Sequence, residues 1–266
     1  MIAIPKKVRD RLVKQIPRFQ KILANAKNRD IHESDTVTIV VDMLESVFGF
    51  DKYTEITSEH AIKGTFCDLA VKIDGTVKYL IECKAIGLDL KDNHLRQAIN
   101  YGAHEGIPWV VLTNGTVWQI HKISFERPIT SELVAMINFE EISHRNKDNL
   151  MQVFLLCRQG IKKQAMQDYH ERSQIVNRFM VAAVSQTDPV ISVIRRELKR
   201  LGPGLRVEKD EVQELLKFGV LKRDVMQGEG AEQAAARVKK SAAKQSREKK
   251  KKAAAKPAPK KPATAE

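Results

Sequence analysis

The residues of this chain best suited to chemistry are Asp68 and the run Glu82-Cys83-Lys84. Two carboxylates with an amine beside them form a donor set for a hard divalent cation, plus a group that can steady negative charge. Carboxylate oxygen suits Mg2+ or Mn2+, and Mg2+ typically takes one or two protein carboxylates and completes its shell with water and phosphate. Side chains of a strand alternate between its two faces. Lys78, Leu80, Glu82 and Lys84 therefore share one face, and Tyr79, Ile81 and Cys83 the other. On the preceding apolar run, Leu69, Val71 and Ile73 form the apolar face and Asp68 lies opposite them.

Whether Asp68 meets Glu82 depends on pairing register. A two-residue turn at Asp74-Gly75 pairs Ile73 with Thr76, sets Cys67 opposite Glu82 and leaves Asp68 on the wrong face. A three-residue turn with a glycine bulge shifts the register by one and brings both acids to a common face. An odd-residue turn or a bulge between Leu69 and Ile81 is therefore predicted, and a plain two-residue hairpin would remove the site.

The elements around this hairpin follow from periodicity. Val8, Leu12, Ile16, Phe19 and Leu23 predict a helix over 5–27, kinked or split at Pro17. A second helix is expected from Asp35 to Phe48, capped by Ser34 or Asp35, with Val37, Val40, Val41, Leu44, Val47 and Phe48 as its core stripe. Strands are expected at Tyr53–Ser58, Phe66–Ile73 and Val77–Lys84. A helix over Lys91–Glu105 follows, then strands Pro108–Thr113 and Val117–Ile123 hinged at Asn114-Gly115, and a further strand over Leu133–Phe139. Strands flanked by long helices predict an α/β layer with the sheet covered. Helical segments are read at Asn146–Arg158, Lys162–Val184, Asp188–Leu201 and Glu208–Leu216.

Two helical positions flank the hairpin chemistry. With Leu95, Ala98, Ile99 and Gly102 as the core stripe of the Lys91–Glu105 helix, Gln97 and Tyr101 fall one turn apart on another face. There they either meet solvent or face a cleft that takes a phosphate backbone. Glu45 flanks the stripe of the second helix, where it could join a metal site or meet a lysine.

Asp68, Glu82-Cys83-Lys84, Gln97-x-x-x-Tyr101 and Trp109–Trp118 stand in an order that resembles the PD-(D/E)XK nucleases carrying the QxxxY extension. Within that superfamily they resemble the N-terminal nuclease domain of type I restriction enzyme R subunits. The resemblance implies a restriction-endonuclease-like mixed sheet flanked by helices. It implies a Mg2+- or Mn2+-dependent DNA endonuclease, with Asp68, Glu82, the Cys83 carbonyl and Glu45 at the metal. Lys84 would orient or help deprotonate the attacking water, and Gln97 and Tyr101 would position DNA or the catalytic groups. Cys67 stands where the superfamily name has proline. No G-x-x-x-x-G-K-[ST] loop occurs, so neither ATP nor a translocating motor is expected, and the nuclease domain is expected to stand alone. The alternative is a non-catalytic nucleic-acid-binding or regulatory module that keeps the fold. A centre that cuts one strand at a time needs two copies to break a duplex, which leaves room for a homodimer.

Composition sets the surroundings. The 266 residues hold 46 Lys and Arg against 33 Asp and Glu, a net charge of +13. From Ala231 to Glu266 there are 12 basic and 3 acidic residues, leaving a net of +4 for the rest. Such an excess favours a polyanionic partner, nucleic acid before membrane. No stretch approaches the roughly 18–20 apolar residues of a membrane span. Three cysteines without zinc spacing point to a reducing cytoplasm, and the seven histidines show no ligand spacing. The expected organisation is an N-terminal helical segment over 1–30, a nuclease-like core over 31–145, a helical extension over 146–228, and a disordered Lys/Ala-rich tail over 229–266. That tail lacks the apolar surface to offset its chain entropy and is expected to be disordered or only transiently helical.

Overall fold

A computed structural model describes residues 2–62 and 65–254, with side chains described for 2–58 and 67–248. Two compact units divide the chain, Met1–Glu171 and Arg172–Glu266. The first unit is built on a six-stranded sheet in sequential order, β1 (Ile56–Ile62), β2 (Thr65–Ile73), β3 (Thr76–Cys83), β4 (Trp109–Thr113), β5 (Val117–Ser124) and β6 (Thr130–Asn138). Every neighbouring pair is antiparallel except β3 and β4, which are parallel and joined by helix α3 (Asp92–Glu105). This mixed sheet between helical layers is the expected restriction-endonuclease-like architecture.

One face of the sheet carries Leu69, Val71, Ile73, Tyr79, Ile81 and Trp118. It is covered by α1 (Lys6–Asn28), α2 (Glu33–Met43) with the wide π-helical turn Leu44–Phe48 that continues it, and α4 (Lys147–Leu156). The other face carries Ala70, Leu80 and Val110 and is covered by α3 through Ala98 and Tyr101. Helix α1 runs continuously through Pro17, so it is not split there into two short helices. Its stripe Val8, Leu12, Ile16, Phe19 and Leu23 is fully part of the core, and burial of that stripe outweighs one missing backbone hydrogen bond. The N-terminal helix and the helices up to residue 171 therefore belong to the nuclease-like unit, and the boundaries expected at 30 and 145 are absent.

Two other boundaries move for local reasons. Strand β1 begins at Ile56 rather than Tyr53, because the Asp51 carboxylate accepts the N–H groups of Tyr53 (3.0 Å) and Thr54 (2.9 Å) and folds those residues into a turn. Helix α2 starts at Glu33 after His32, not at Ser34 or Asp35, and places Glu33 and Asp35 in its first turn.

After the short helix α5 (Arg158–Lys162) of the first unit, the second unit is helical: the end of α6 (Ala165–Ile175), then α7 (Arg178–Ser185), α8 (Asp188–Leu201), α9 (Lys209–Glu214) with the wide turn Leu215–Val220, α10 (Arg223–Met226) and α11 (Glu229–Ala254). The tail from Glu229, expected to be disordered or only transiently helical, is a helix as far as Ala254; residues 255–266 of that tail lie outside the described residues. Its first half is anchored by Ala234, which is buried, and by Ala231, Ala235 and Val238, which share a groove with Phe179 and Ala183 of α7. Alanine-rich sequence has high helix propensity, and packing of that short stripe supplies what composition alone does not show.

A close approach positions α3. A Cβ at Gly102 would stand 2.5 Å from Ile123 Cδ1, 2.8 Å from Val110 Cγ1 and 2.9 Å from the Ile107 carbonyl oxygen. Gly102→Ala is expected to destabilise the first unit by about 1–3 kcal/mol through overpacking, only partly offset by alanine's helix preference of about 1 kcal/mol. Urea unfolding checks this, and an unchanged or raised midpoint refutes it.

Candidate functional site

The register question is settled by a bulge. Ile73 pairs with Thr76 across a two-residue turn at Asp74-Gly75, both residues with positive φ (52° and 75°), and Lys72 pairs with Val77. The next pair is Val71 with Tyr79, so Lys78 is the extra residue. Beyond it Ala70 pairs with Leu80 and Leu69 with Ile81, and this register carries Asp68 to the level of Glu82 on one face. The predicted bulge between Leu69 and Ile81 is present, together with the two-residue turn.

The consequence is a compact cluster at the carboxyl end of the parallel pair β3/β4. Open α/β sheets commonly bind ligands at such an end. The Cys83 N–H donates to Asp68 Oδ2 (2.7 Å), tying the aspartate to the strand that carries Glu82. Lys84 Nζ donates to Glu82 Oε1 (2.8 Å) and lies 3.5 Å from Glu33 Oε1. The backbone of Lys84 is held by donation to the Thr113 carbonyl (2.8 Å), which continues the parallel pairing past Cys83. Two side chains pin the following loop: Thr36 accepts the Ile86 N–H (3.1 Å), and Asn114 Nδ2 donates to the Leu88 carbonyl (2.9 Å).

Burial dominates the electrostatics. Glu82 is 1% exposed, and its Oε2 has no hydrogen-bond partner. Its pKa is raised to about 7, chiefly by burial, with Lys84 pulling it down and the charges of Asp68 and Glu33 pushing it up. Asp68 is raised by burial against the opposing Cys83 N–H and Lys84. For Lys84, burial alone would favour the neutral amine. The Glu82 hydrogen bond and the charges of Glu82, Glu33 and Asp68 outweigh it, and its pKa is raised. The ammonium form therefore prevails at neutral pH, which suits charge stabilisation rather than proton abstraction. Cys67 and Cys83 are buried thiols raised by desolvation, Cys67 to about 12, so neither is a nucleophile.

The other expected site residues divide. Gln97 is exposed and its Nε2 donates to the Tyr101 hydroxyl (2.9 Å), so the expected Gln-x-x-x-Tyr pair does form one unit. Tyr101, however, is 8% exposed and packs with Ala98 on the sheet-facing side of α3, where a solvent or cleft face was expected. Side-chain-free Gly102 lets the helix sit close enough for the tyrosine to join the core stripe in place of Leu95. Glu45 is not brought to the cluster: it lies in the wide turn after α2, 45% exposed and 3.8 Å from Lys52. Glu33, the first residue of α2, is the helix carboxylate that faces Lys84. Its place with Asp35 in the acidic first turn of that helix was the available signal.

The donor set fits a hard cation. The partnerless Glu82 oxygen beside Asp68 is a buried polar atom that a cation would satisfy. Among the described residues no group of three or more His, Cys, Asp and Glu side chains is placed to hold a metal. The set is therefore the two carboxylates of Asp68 and Glu82, leaving water and phosphate to complete a cation's shell.

No curated protein and no solved structure matches the chain. Just over a third of it, from within α2 to within β6, matches a family model described as the type I restriction enzyme R protein N terminus (HSDR_N), residues 40–136. Asp68, Glu82, Lys84, Gln97, Tyr101 and the β4–β5 turn all lie inside the match, and Glu33 lies outside it. The segment that carries the cluster is thus similar to the N-terminal region of type I restriction enzyme R proteins.

Proposed function

We propose that the first unit is a metal-dependent DNA endonuclease of PD-(D/E)XK type. The observation that carries this reading is the bulge at Lys78, which puts Asp68, Glu82 and Lys84 together where a regular hairpin would separate them. Asp68, Glu82 and the Cys83 carbonyl would hold Mg2+ or Mn2+. When bound, the cation supplies Lewis-acid polarisation of a phosphodiester and a template for in-line attack. Lys84, held as an ammonium between Glu82 and Glu33, presents positive charge where the phosphate gains negative charge. Gln97, supported by the Tyr101 hydroxyl and free to reach solvent, orients the substrate backbone. Glu33 replaces Glu45 as the helix carboxylate of the centre and acts through Lys84.

The family supports DNA as the partner, and three free buried thiols suit a reducing cytoplasm. Among the described residues no helix is long and apolar enough to cross a membrane. Two copies acting on opposite strands would be needed for a double-strand break, with no call on ATP.

Asp68→Asn tests the reading directly. Cleavage of plasmid and of single-stranded DNA in Mg2+ or Mn2+ is expected to fall by at least about 100-fold, while duplex binding in EDTA persists. Cleavage that survives Asp68→Asn refutes the assignment. Parent protein that binds but never cleaves, across duplex, single-stranded and modified substrates, favours a binding module on the same fold.

A further inference from the structure

Charge is divided between the two units far more sharply than length. Met1–Glu171 holds 23 basic and 22 acidic residues, a net of +1, whereas Arg172–Glu266 holds 23 and 11, a net of +12. Within the second unit the excess concentrates on α11. From Arg237 to Lys252 it carries nine Lys and Arg against the single acid Glu248.

The arrangement on that helix is ordered. At about 100° per residue, Ala231, Ala234, Ala235, Val238 and Ala242 form one stripe, and these residues line the groove with Phe179 and Ala183 or are buried beside it. Arg237, Lys240, Lys244 and Arg247, at spacings of three and four, form a second stripe on the opposite side, and all four are exposed. Among the described residues Lys240, Lys244 and Arg247 have no ion-pair partner. On α8 the comparable arginines are engaged: Arg196 and Arg200 by Glu197, and Arg195 by the Val207 carbonyl.

We infer that α11 is a nucleic-acid docking element: a helix held by its alanine stripe that lays its opposite, basic stripe along a phosphate backbone. The partner is a nucleic acid and not an anionic membrane. From Ser241 to Ala254 the helix has no apolar residue larger than alanine, and a membrane-surface helix needs bulky apolar or aromatic side chains to insert. The absence of any aromatic residue after Phe218 removes base stacking, so the contact reads charge and not sequence. This deepens the proposed function by assigning retention of DNA to the second unit. It rests on nucleic acid being the partner and not on cleavage.

The test uses the full chain in EDTA with a labelled random-sequence duplex, across a salt series. Lys240→Gln, Lys244→Gln and Arg247→Gln together, chosen because glutamine keeps helix propensity, are expected to weaken binding at least about 10-fold near physiological salt. They should also make the slope of log K against log salt shallower by about 3. Replacing the two lysines by arginine is expected to keep both values. Equal binding and slope in the glutamine variant overturn the inference, as does recruitment to phosphatidylserine vesicles without DNA binding. If the variant loses helical circular dichroism, the parent chain still decides: a salt slope near zero overturns the inference. An Asp68→Asn chain that binds DNA with the parent salt slope but does not cleave leaves this inference standing, and loss of binding in the glutamine variant leaves the catalytic assignment standing.

Discussion

Lys84→Met is expected to lower metal-dependent cleavage by about 100- to 1,000-fold, the cost of removing one preorganised positive donor from a buried site. It is also expected to destabilise the first unit at alkaline pH by about 3–5 kcal/mol. Both effects come from one contact. Glu82 Oε1 is bonded by Lys84 Nζ at 2.8 Å, and Oε2 has no partner, so the substitution leaves a carboxylate buried with no partner at all. Methionine retains the volume of the lysine stem, which separates charge loss from cavity formation. The stability cost shrinks at acid pH, where Glu82 takes up a proton and no bare charge is buried. Cleavage assays and urea unfolding at pH 8 and pH 5.5 measure the two effects. Full activity in Lys84→Met would refute the catalytic role, and a stability loss equal at both pH values would refute the pairing.

The second large effect is a pH dependence that the Glu82→Gln variant removes. The folded pKa of Glu82 is about 7, above its ordinary 4.5, so the folded state holds the proton more tightly than the unfolded chain. Stability from this group is fully present below 4.5 and is lost as pH rises through about 7, by roughly 3 kcal/mol. His121 acts in the opposite sense. Burial lowers its pKa from 6.5 to about 4, so its contribution is present above 6.5 and is lost as pH falls toward 4. Between about pH 4.5 and 6.5 the two trends oppose each other with similar slope, so together they give a plateau that falls away above about pH 6.5 and below about pH 4.5. Between pH 6.5 and 8 the decline belongs to Glu82, and the metal-free Glu82→Gln chain should show a flat profile there. Adding Mg2+ or Mn2+ should raise the melting temperature of the parent chain more at pH 8 than at pH 5.5, and should leave Glu82→Gln little changed. A parent profile that is flat above pH 6.5, or a cation effect undiminished in Glu82→Gln, would remove Glu82 from the site.

Much of the framework was legible because it is local. Asp74-Gly75 and Asn114-Gly115 are turn signals that need no knowledge of the fold, and both turns join the expected strands. The α1 stripe reads directly from its three- and four-residue spacing, and only the alternative of a split at Pro17 is removed. Asp68, Glu82 and Lys84 could be placed on one face once a bulge was required, because strand alternation is strict. Gln97 and Tyr101 were paired correctly by their one-turn spacing. Tyr101 was assigned to the wrong face because a helical wheel does not show how closely Gly102 lets α3 approach the sheet.

The amino-acid sequence alone determined the chemical inventory: two acids and an amine in a hairpin, a helical Gln-x-x-x-Tyr pair, and a positive charge weighted toward the C-terminal residues. These depend only on residue type and on periods of two and 3.6. The tertiary structure decided where the extra residue of the hairpin sits, which helix acid faces Lys84, and that the alanine- and lysine-rich segment is a docked helix. Each of those outcomes depends on contacts between residues far apart in the chain. Glu33 reaches Lys84 across 51 positions and Ala231–Val238 lies against Phe179, and such contacts are set by packing free energies that no local pattern encodes.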